Sequence, residues 1–382
     1  MDKEQGKIDI KQYIAVLFFL ALGAFFGWAI GKYIGKLDIS SVGRIMSFFV
    51  MIILMYFAIF IQIVIHELGH LIFAFMTVYK FSSFRIMSLM LIKESGKIKL
   101  RRFSVAGTGG QVLMVPPDMK DGKFPVVLYN LGGSIMNTLT GLVFLFLHYR
   151  VLHMPRLSLF LMFLASSGIV LALLNGIPLR MGMMDNDGYN ALTLTKNKES
   201  RRSFWLQLKI NELLANGVRL KDMPDDWFEI PSDEEMKNSM RAVIGVFACN
   251  RLMDNHKFEE ADKLMEHFMN IVSSIVALHK SILVCDRIYC ELVGKNRKSV
   301  VDEMLDARKK KLMKAMSKLP NVIRTEYAYA LLAEKDVNKA LETRRKFDRY
   351  TKYYPYSVEV ETELELIEIA SRCYDLEEGH GA

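Results

Sequence analysis

A chain of 382 residues that is 51% hydrophobic, with a positive mean hydropathy, is long enough for two domains and too apolar to be soluble throughout. Its formal charge of +8 calls for no nucleic acid, because basic flanks facing anionic lipid head groups account for it. Four cysteines, with no C-x-x-C and no paired metal spacing, argue against a disulfide framework and read as reduced structural thiols.

The apolar residues concentrate before about residue 178, in four stretches of about 13–31, 45–76, 125–147 and 157–178. Each matches the roughly 20 apolar residues that a helix needs to cross a hydrocarbon core. The first reads as an anchor and not a cleaved signal, since no small-residue cleavage site follows it. The second is longer than one crossing requires, so tilt or extension past the interface is expected.

Orientation follows from the basic residues. The link between spans two and three carries Arg85, Lys93, Lys97, Lys99, Arg101, Arg102, Lys120 and Lys123 and is expected on the cytoplasmic side. Four spans then put both termini there, against the fewer charges of Lys32, Lys36 and Arg44 in the outer loop. The expected location is the cell membrane, multi-pass, with both termini cytoplasmic.

Span two holds "IVIHELGHLIFAF", residues 63–75, which places His66, Glu67 and His70 among residues suited to lipid. A charged side chain at membrane depth costs roughly 3 kcal/mol on insertion scales, so such groups are functional candidates. His66 and His70 lie one helical turn apart, so both imidazoles project from one face and can share an ion. Glu67 can reach a metal-bound water, which gives the H-E-x-x-H arrangement of zinc hydrolases and implies Zn2+.

In the link, "FRIMSLMLIKESGKIKLRRFSV", residues 84–105, reads as a membrane-associated β-hairpin around Glu94-Ser95-Gly96-Lys97, whose edge could take an unwound substrate by strand addition. "GTGGQVLMVPPD", residues 107–118, reads as a loop re-entering near the site; it lacks the Walker pattern for phosphate.

Zinc needs a third protein ligand. His148 and His153 lie at the far end of span three, and His256, His267, His279 and His380 belong to the soluble part. A carboxylate is left, and "NGIPLRMGMMDNDGYN", residues 175–190, offers Asp185 and Asp187 on the side where the H-E-x-x-H segment emerges.

Beyond a boundary between residues 188 and 202 the chain reads as polar helix. "NHKFEEADKLMEHF", "GKNRKSVVDEML" and "EKDVNKALETRRKF" place Ala261, Val301 and Ala340 at similar positions, about 40 residues apart. An α-solenoid resembling tetratricopeptide repeats is expected over 203–382, suited to a cytoplasmic protein partner or a substrate tail. The basic run 308–318 reads as a solvated helix face.

The motifs together resemble the site-2 proteases, a family of intramembrane zinc metalloproteases, over about residues 45–190. The family pairs H-E-x-x-H on one span with N-x-x-P…D-G at a later one, matched by His66, Glu67, His70, Asn175, Pro178, Asp187 and Gly188. The resemblance implies that Asp187 is the third ligand and Glu67 the catalytic base. The Pro-to-Asp gap is longer than in the commonest form, which leaves Asp185 as an alternative. Asn137 in "GGSIMN" resembles the family's Gly-rich stretch ending in Asn; Asn137 and Asn175 could hold substrate backbone or oxyanion. No PDZ or CBS module is visible.

The resulting expectation is an all-α multi-pass membrane protein of four transmembrane helices and a β-hairpin, with domains 1–190 and 203–382. Its function would be hydrolysis of a peptide bond in or near the transmembrane segment of a membrane-anchored protein or peptide, in regulated proteolysis or signal or pheromone peptide processing. The alternatives are a non-enzymatic membrane scaffold of the same fold, and a metal-dependent transporter or sensor, which the lack of an inverted repeat disfavours.

Overall fold

The computed structural model describes residues 10–35, 40–104, 108–181, 184–305 and 313–379, so His380 and part of the basic run 308–318 lie outside the described residues. The protein is mostly helical with short antiparallel strands, and it forms two compact units. Met1–Met87 joins Gly107–Lys198 in the first; Ser88–Ala106 joins Glu199–Ala382 in the second.

The first unit is built on α1 (Ile10–Ile34), α2 (Ser41–Phe75), α3 (Val127–Arg150) and α4 (Pro155–Gly176), followed by the short α5 (Asp187–Lys196). Ser40 starts α2 by accepting the Gly43 N–H on its hydroxyl at 3.2 Å. Pro155 sits in the first turn of α4, where its missing N–H costs nothing. The same helix ends as Ile177, held extended by the following Pro178, turns out of helical geometry.

Among the described residues, α2, α3 and α4 are long and apolar enough to cross a membrane. Their outer faces expose Phe49, Ile53, Phe57, Leu142 and Phe146, as lipid-facing surfaces do. The first expected span is the helix α1, whose Phe26 meets Phe163 of α4 edge-on at 5.3 Å. At 35 residues, α2 measures roughly 52 Å against the ~30 Å of a hydrocarbon core.

Small residues let these helices touch. A Cβ on Gly132 of α3 would lie 2.7 Å from the carbonyl oxygen of Gly69 on α2, and one on Gly141 would lie 3.3 Å from the Ala165 oxygen of α4. Between α2 and α3 run β1 (Lys80–Ile86) and β4 (Gly110–Val115), antiparallel in a register that pairs Lys80 with Val115 and Ile86 with Gly110. The segment expected as a re-entrant loop is therefore largely a strand. Its Val112, Met114 and Val115 are buried, and a run of alternating apolar residues satisfies its backbone best by pairing.

The expected hairpin is narrower than 84–105, comprising β2 (Leu89–Glu94) and β3 (Lys97–Arg102). Ser95 and Gly96 both take positive φ, 46° and 81°, as a tight two-residue turn demands. It belongs to the second unit, not to a 1–190 domain. Met90 and Ile92 alternate inward to join Ile210, Leu214 and Phe228, and Phe103 stacks edge-on with Tyr354 at 5.7 Å.

The second unit adds α6 (Lys198–Ala215), α7 (Ser239–Asp254), α8 (Phe258–Asn270), α9 (Ala277–Val293), α10 (Lys298–Met304), α11 (Pro320–Ala328), α12 (Val337–Thr351) and α13 (Ser357–Gly379). One turn recurs three times: His256, Asn296 and Lys335 have φ of 58°, 50° and 56°, each two residues before the next helix. Ala261, Val301 and Ala340, each three residues into that helix, are buried in one shared core. No cysteine forms a disulfide, and burial pushes the Cys285 thiol up to about 12, which keeps it inert.

Candidate metal centre

Three side chains of the first unit converge. His66 and His70 come from successive turns of α2 with their rings nearly perpendicular, at 85°. Asp187 comes from the first residue of α5. The His66 Nε2 lies 3.2 Å from His70 Nε2 and 3.1 Å from Asp187 Oδ2, and His70 Nε2 lies 3.3 Å from the same oxygen. Three protein atoms thus form a triangle with nearly equal edges.

That triangle fits an ion. Ligand atoms placed tetrahedrally at ~2.0–2.1 Å from a Zn2+ stand about 3.3 Å apart, and two imidazoles with one carboxylate suit that metal. Both rings are also turned the right way for it. His66 donates from Nδ1 to Asn137 Oδ1 at 2.7 Å, and His70 donates from Nδ1 to the Tyr129 carbonyl at 2.7 Å. A proton held on Nδ1 leaves a lone pair on Nε2, the atom at the triangle's corner.

Asp187 is placed by its neighbours. Asn186 caps α5, its Oδ1 accepting from Tyr189 N at 2.9 Å and Leu179 N at 3.1 Å. Its Nδ2 donates to the Leu174 and Ile177 carbonyls at the end of α4, both at 2.6 Å. Gly188 then meets the Gly176 backbone so closely that no Cβ fits. Asn186 is a site residue that sequence reading missed, although an Asn before Asp-Gly at a helix start carries the signature of a cap.

Asp185 is not brought to the triangle. It sits in a two-residue strand whose Cα partner is Arg180.

Glu67 is buried beside the two histidines, and its side chain lies against β4: a Cβ on Gly110 would stand 2.6 Å from Glu67 Oε1. Glycine at 110 keeps that space. Arg85 of β1 donates to Thr108 Oγ1 at 2.6 Å and to Gly110 O at 3.3 Å, holding the start of β4.

The two asparagines expected to hold substrate differ in setting, Asn175 being half-buried. Asn137 is fully buried, with its oxygen turned to His66 and its nitrogen committed to Gln62. Asn175 donates to the Leu171 carbonyl one turn back in α4, at 3.0 Å. A primary amide inside a helix bundle finds acceptors on adjacent backbone before it reaches open space.

Comparison of the chain with protein-family models, with curated proteins and with solved structures found no match.

Proposed function

We propose that this protein is an intramembrane zinc metalloprotease of the site-2 type, which hydrolyses a peptide bond in or near the transmembrane segment of a membrane-anchored substrate. The observation that carries the reading is the triangle of His66 Nε2, His70 Nε2 and Asp187 Oδ2, with edges of 3.1–3.3 Å and a buried glutamate next to it in sequence. When bound, zinc would supply Lewis acidity and lower the pKa of a water toward 7. His66, His70 and Asp187 would hold it and leave the fourth position open. Glu67 would take the proton from the attacking water and deliver it to the departing amine nitrogen.

An extended substrate has a place to lie. β4 is an edge strand, and its Gly110 abuts Glu67. A locally unwound substrate adding alongside β4 would bring its peptide bonds to the base, which makes this strand, in place of the β2–β3 hairpin, the docking edge. The reading includes α1 as a fourth span, the basic link in the cytoplasm, and both termini there. The helical unit, with its thrice-repeated helix pair, would bind a partner or a substrate's cytoplasmic tail in the manner of tetratricopeptide repeats.

Metal analysis of the purified full chain with a single-span reporter peptide tests this. Wild type is expected to hold one zinc per chain, and His66→Ala or Asp187→Ala to hold little. Glu67→Ala is expected to keep zinc and lose cleavage by about three orders of magnitude or more. A folded wild type without zinc, or cleavage by Glu67→Ala, overturns the reading; the former leaves a membrane scaffold as the alternative.

A further inference from the structure

The amide behind His66 is itself held. Asn137 Nδ2 has two hydrogens, and both point to one residue of α2: the Gln62 main-chain oxygen at 2.9 Å and Gln62 Oε1 at 2.8 Å. Gln62 Nε2 donates in turn to the Leu164 carbonyl of α4 at 2.9 Å. A main-chain carbonyl only accepts, so Leu164 decides which end of the Gln62 amide faces Asn137.

The same logic decides the next amide. Turning Asn137 over would set its oxygen against two oxygens of Gln62, so Oδ1 is left for His66, and only an Nδ1–H satisfies it. Both amides are 0% exposed. Burying a primary amide that helix formation does not need costs on the order of 1–3 kcal/mol unless every bond is made. Space is reserved for it as well: a Cβ on Gly168 of α4 would stand 2.8 Å from Gln62 Nε2 and 3.0 Å from the Asn137 carbonyl oxygen.

We propose that Gln62 is a positioning residue of the metal centre, orienting the Asn137 amide so that His66 presents a bare Nε2 to the ion. The inference rests on the metal reading above and adds a residue outside both motifs. Through Gln62, three membrane helices share one hydrogen-bonded chain that ends on a ligand. Separation of α4 from α2 would therefore be felt at His66.

The test uses the full-length chain in detergent, stripped with a chelator. It is titrated with Co2+, whose visible absorption reports coordination geometry, and with Zn2+ in competition. Gln62→Leu is expected to weaken binding about tenfold and to alter the cobalt spectrum. Gln62→Glu, as the neutral acid that this fully buried place favours, donates its O–H to Leu164 and keeps an acceptor toward Asn137, and is expected to stay within about threefold of wild type.

Aspartate at 137 presents an acceptor to His66 whichever way it turns, though its second oxygen then faces the two Gln62 oxygens. Gln62 can therefore no longer orient it, and leucine at 62 removes one of those opposed oxygens. In an Asn137→Asp background, Gln62→Leu is thus expected to cost nothing further. Additive losses, or wild-type affinity and spectrum for Gln62→Leu alone, overturn the proposal while the metal reading stands. A folded wild type that binds neither ion overturns both. Should Gln62→Leu lose its helical circular dichroism, Gly168→Ala, which presses on the Gln62 amide from α4, is read in its place with the same two outcomes.

Discussion

Arg324 of α11 is buried in the helical unit with its guanidinium divided among Asp286, Glu363 and the face of Tyr289, whose ring centre is 4.3 Å away. Taking the cation away would leave two carboxylates inside a core without compensation. Arg324→Leu is expected to destabilise the unit by about 3–5 kcal/mol, read as a lowered thermal transition of the full chain. No residue of this triad is marked in sequence, since an arginine between Ile323 and Thr325 looks like any helix surface position. The residues of the candidate metal centre are the opposite case. His66, Glu67 and His70 were legible because ionisable groups at fixed spacing among lipid-suited residues are costly there unless they bind something, whereas the segment after the last apolar run offered Asp185 and Asp187 alike and only the family resemblance favoured Asp187. Asn137 was singled out through the Gly-rich stretch that it ends, but its partner was not legible, because a role as orienter or substrate donor depends on which atoms lie across the bundle.

Among the elements, the contact between α2 and α3 sets the site. Gly133 lies under the imidazole of His66, where a Cβ would stand 2.5 Å from Cε1, and Gly132 lies against Gly69. Gly132→Ala would drive backbone into backbone, at a cost of about 1–3 kcal/mol, and part His70 from the Tyr129 carbonyl. The expected result is metal affinity lowered by about tenfold or more together with lost cleavage, whereas Gly23→Ala, with nothing within 4 Å of its Cβ, is the neutral control. Helix existence was legible from apolar run length: the expected 157–178 is observed as Pro155–Gly176, and 125–147 as Val127–Arg150. β4 was not, because its glycines and flanking prolines read as loop until the partner strand β1 is known to lie beside it.

At the scale of the whole chain, the division into units does not follow sequence order. Ser88–Ala106 is inserted between parts of the membrane unit yet belongs with residues 199–382. A chain ending at residue 202 would strip the cover from Met90 and Ile92, which are buried with α6, α7 and the Tyr356 segment. Trypsin cleavage at the lysines and arginines of β2 and β3 is expected to accelerate by about an order of magnitude in that truncation. Unchanged protection of the hairpin would refute its assignment to the helical unit.

Sequence by itself determined what depends on local chemistry: the apolar lengths of the spans, the two histidines one turn apart, the Ser95-Gly96 turn, and the spacing of Ala261, Val301 and Ala340. These are properties of neighbouring residues, and helical or turn geometry converts them directly into shape. Tertiary structure alone decided that Asp187 and not Asp185 meets the histidines, that β4 and not the hairpin borders Glu67, and that Gln62 stands behind Asn137. Each of those depends on which helix ends and strand edges close packing and hydrogen-bond satisfaction bring together; the Gln62–Asn137 and His66–Asp187 contacts join residues 75 and 121 positions apart. No pattern within a single segment encodes that.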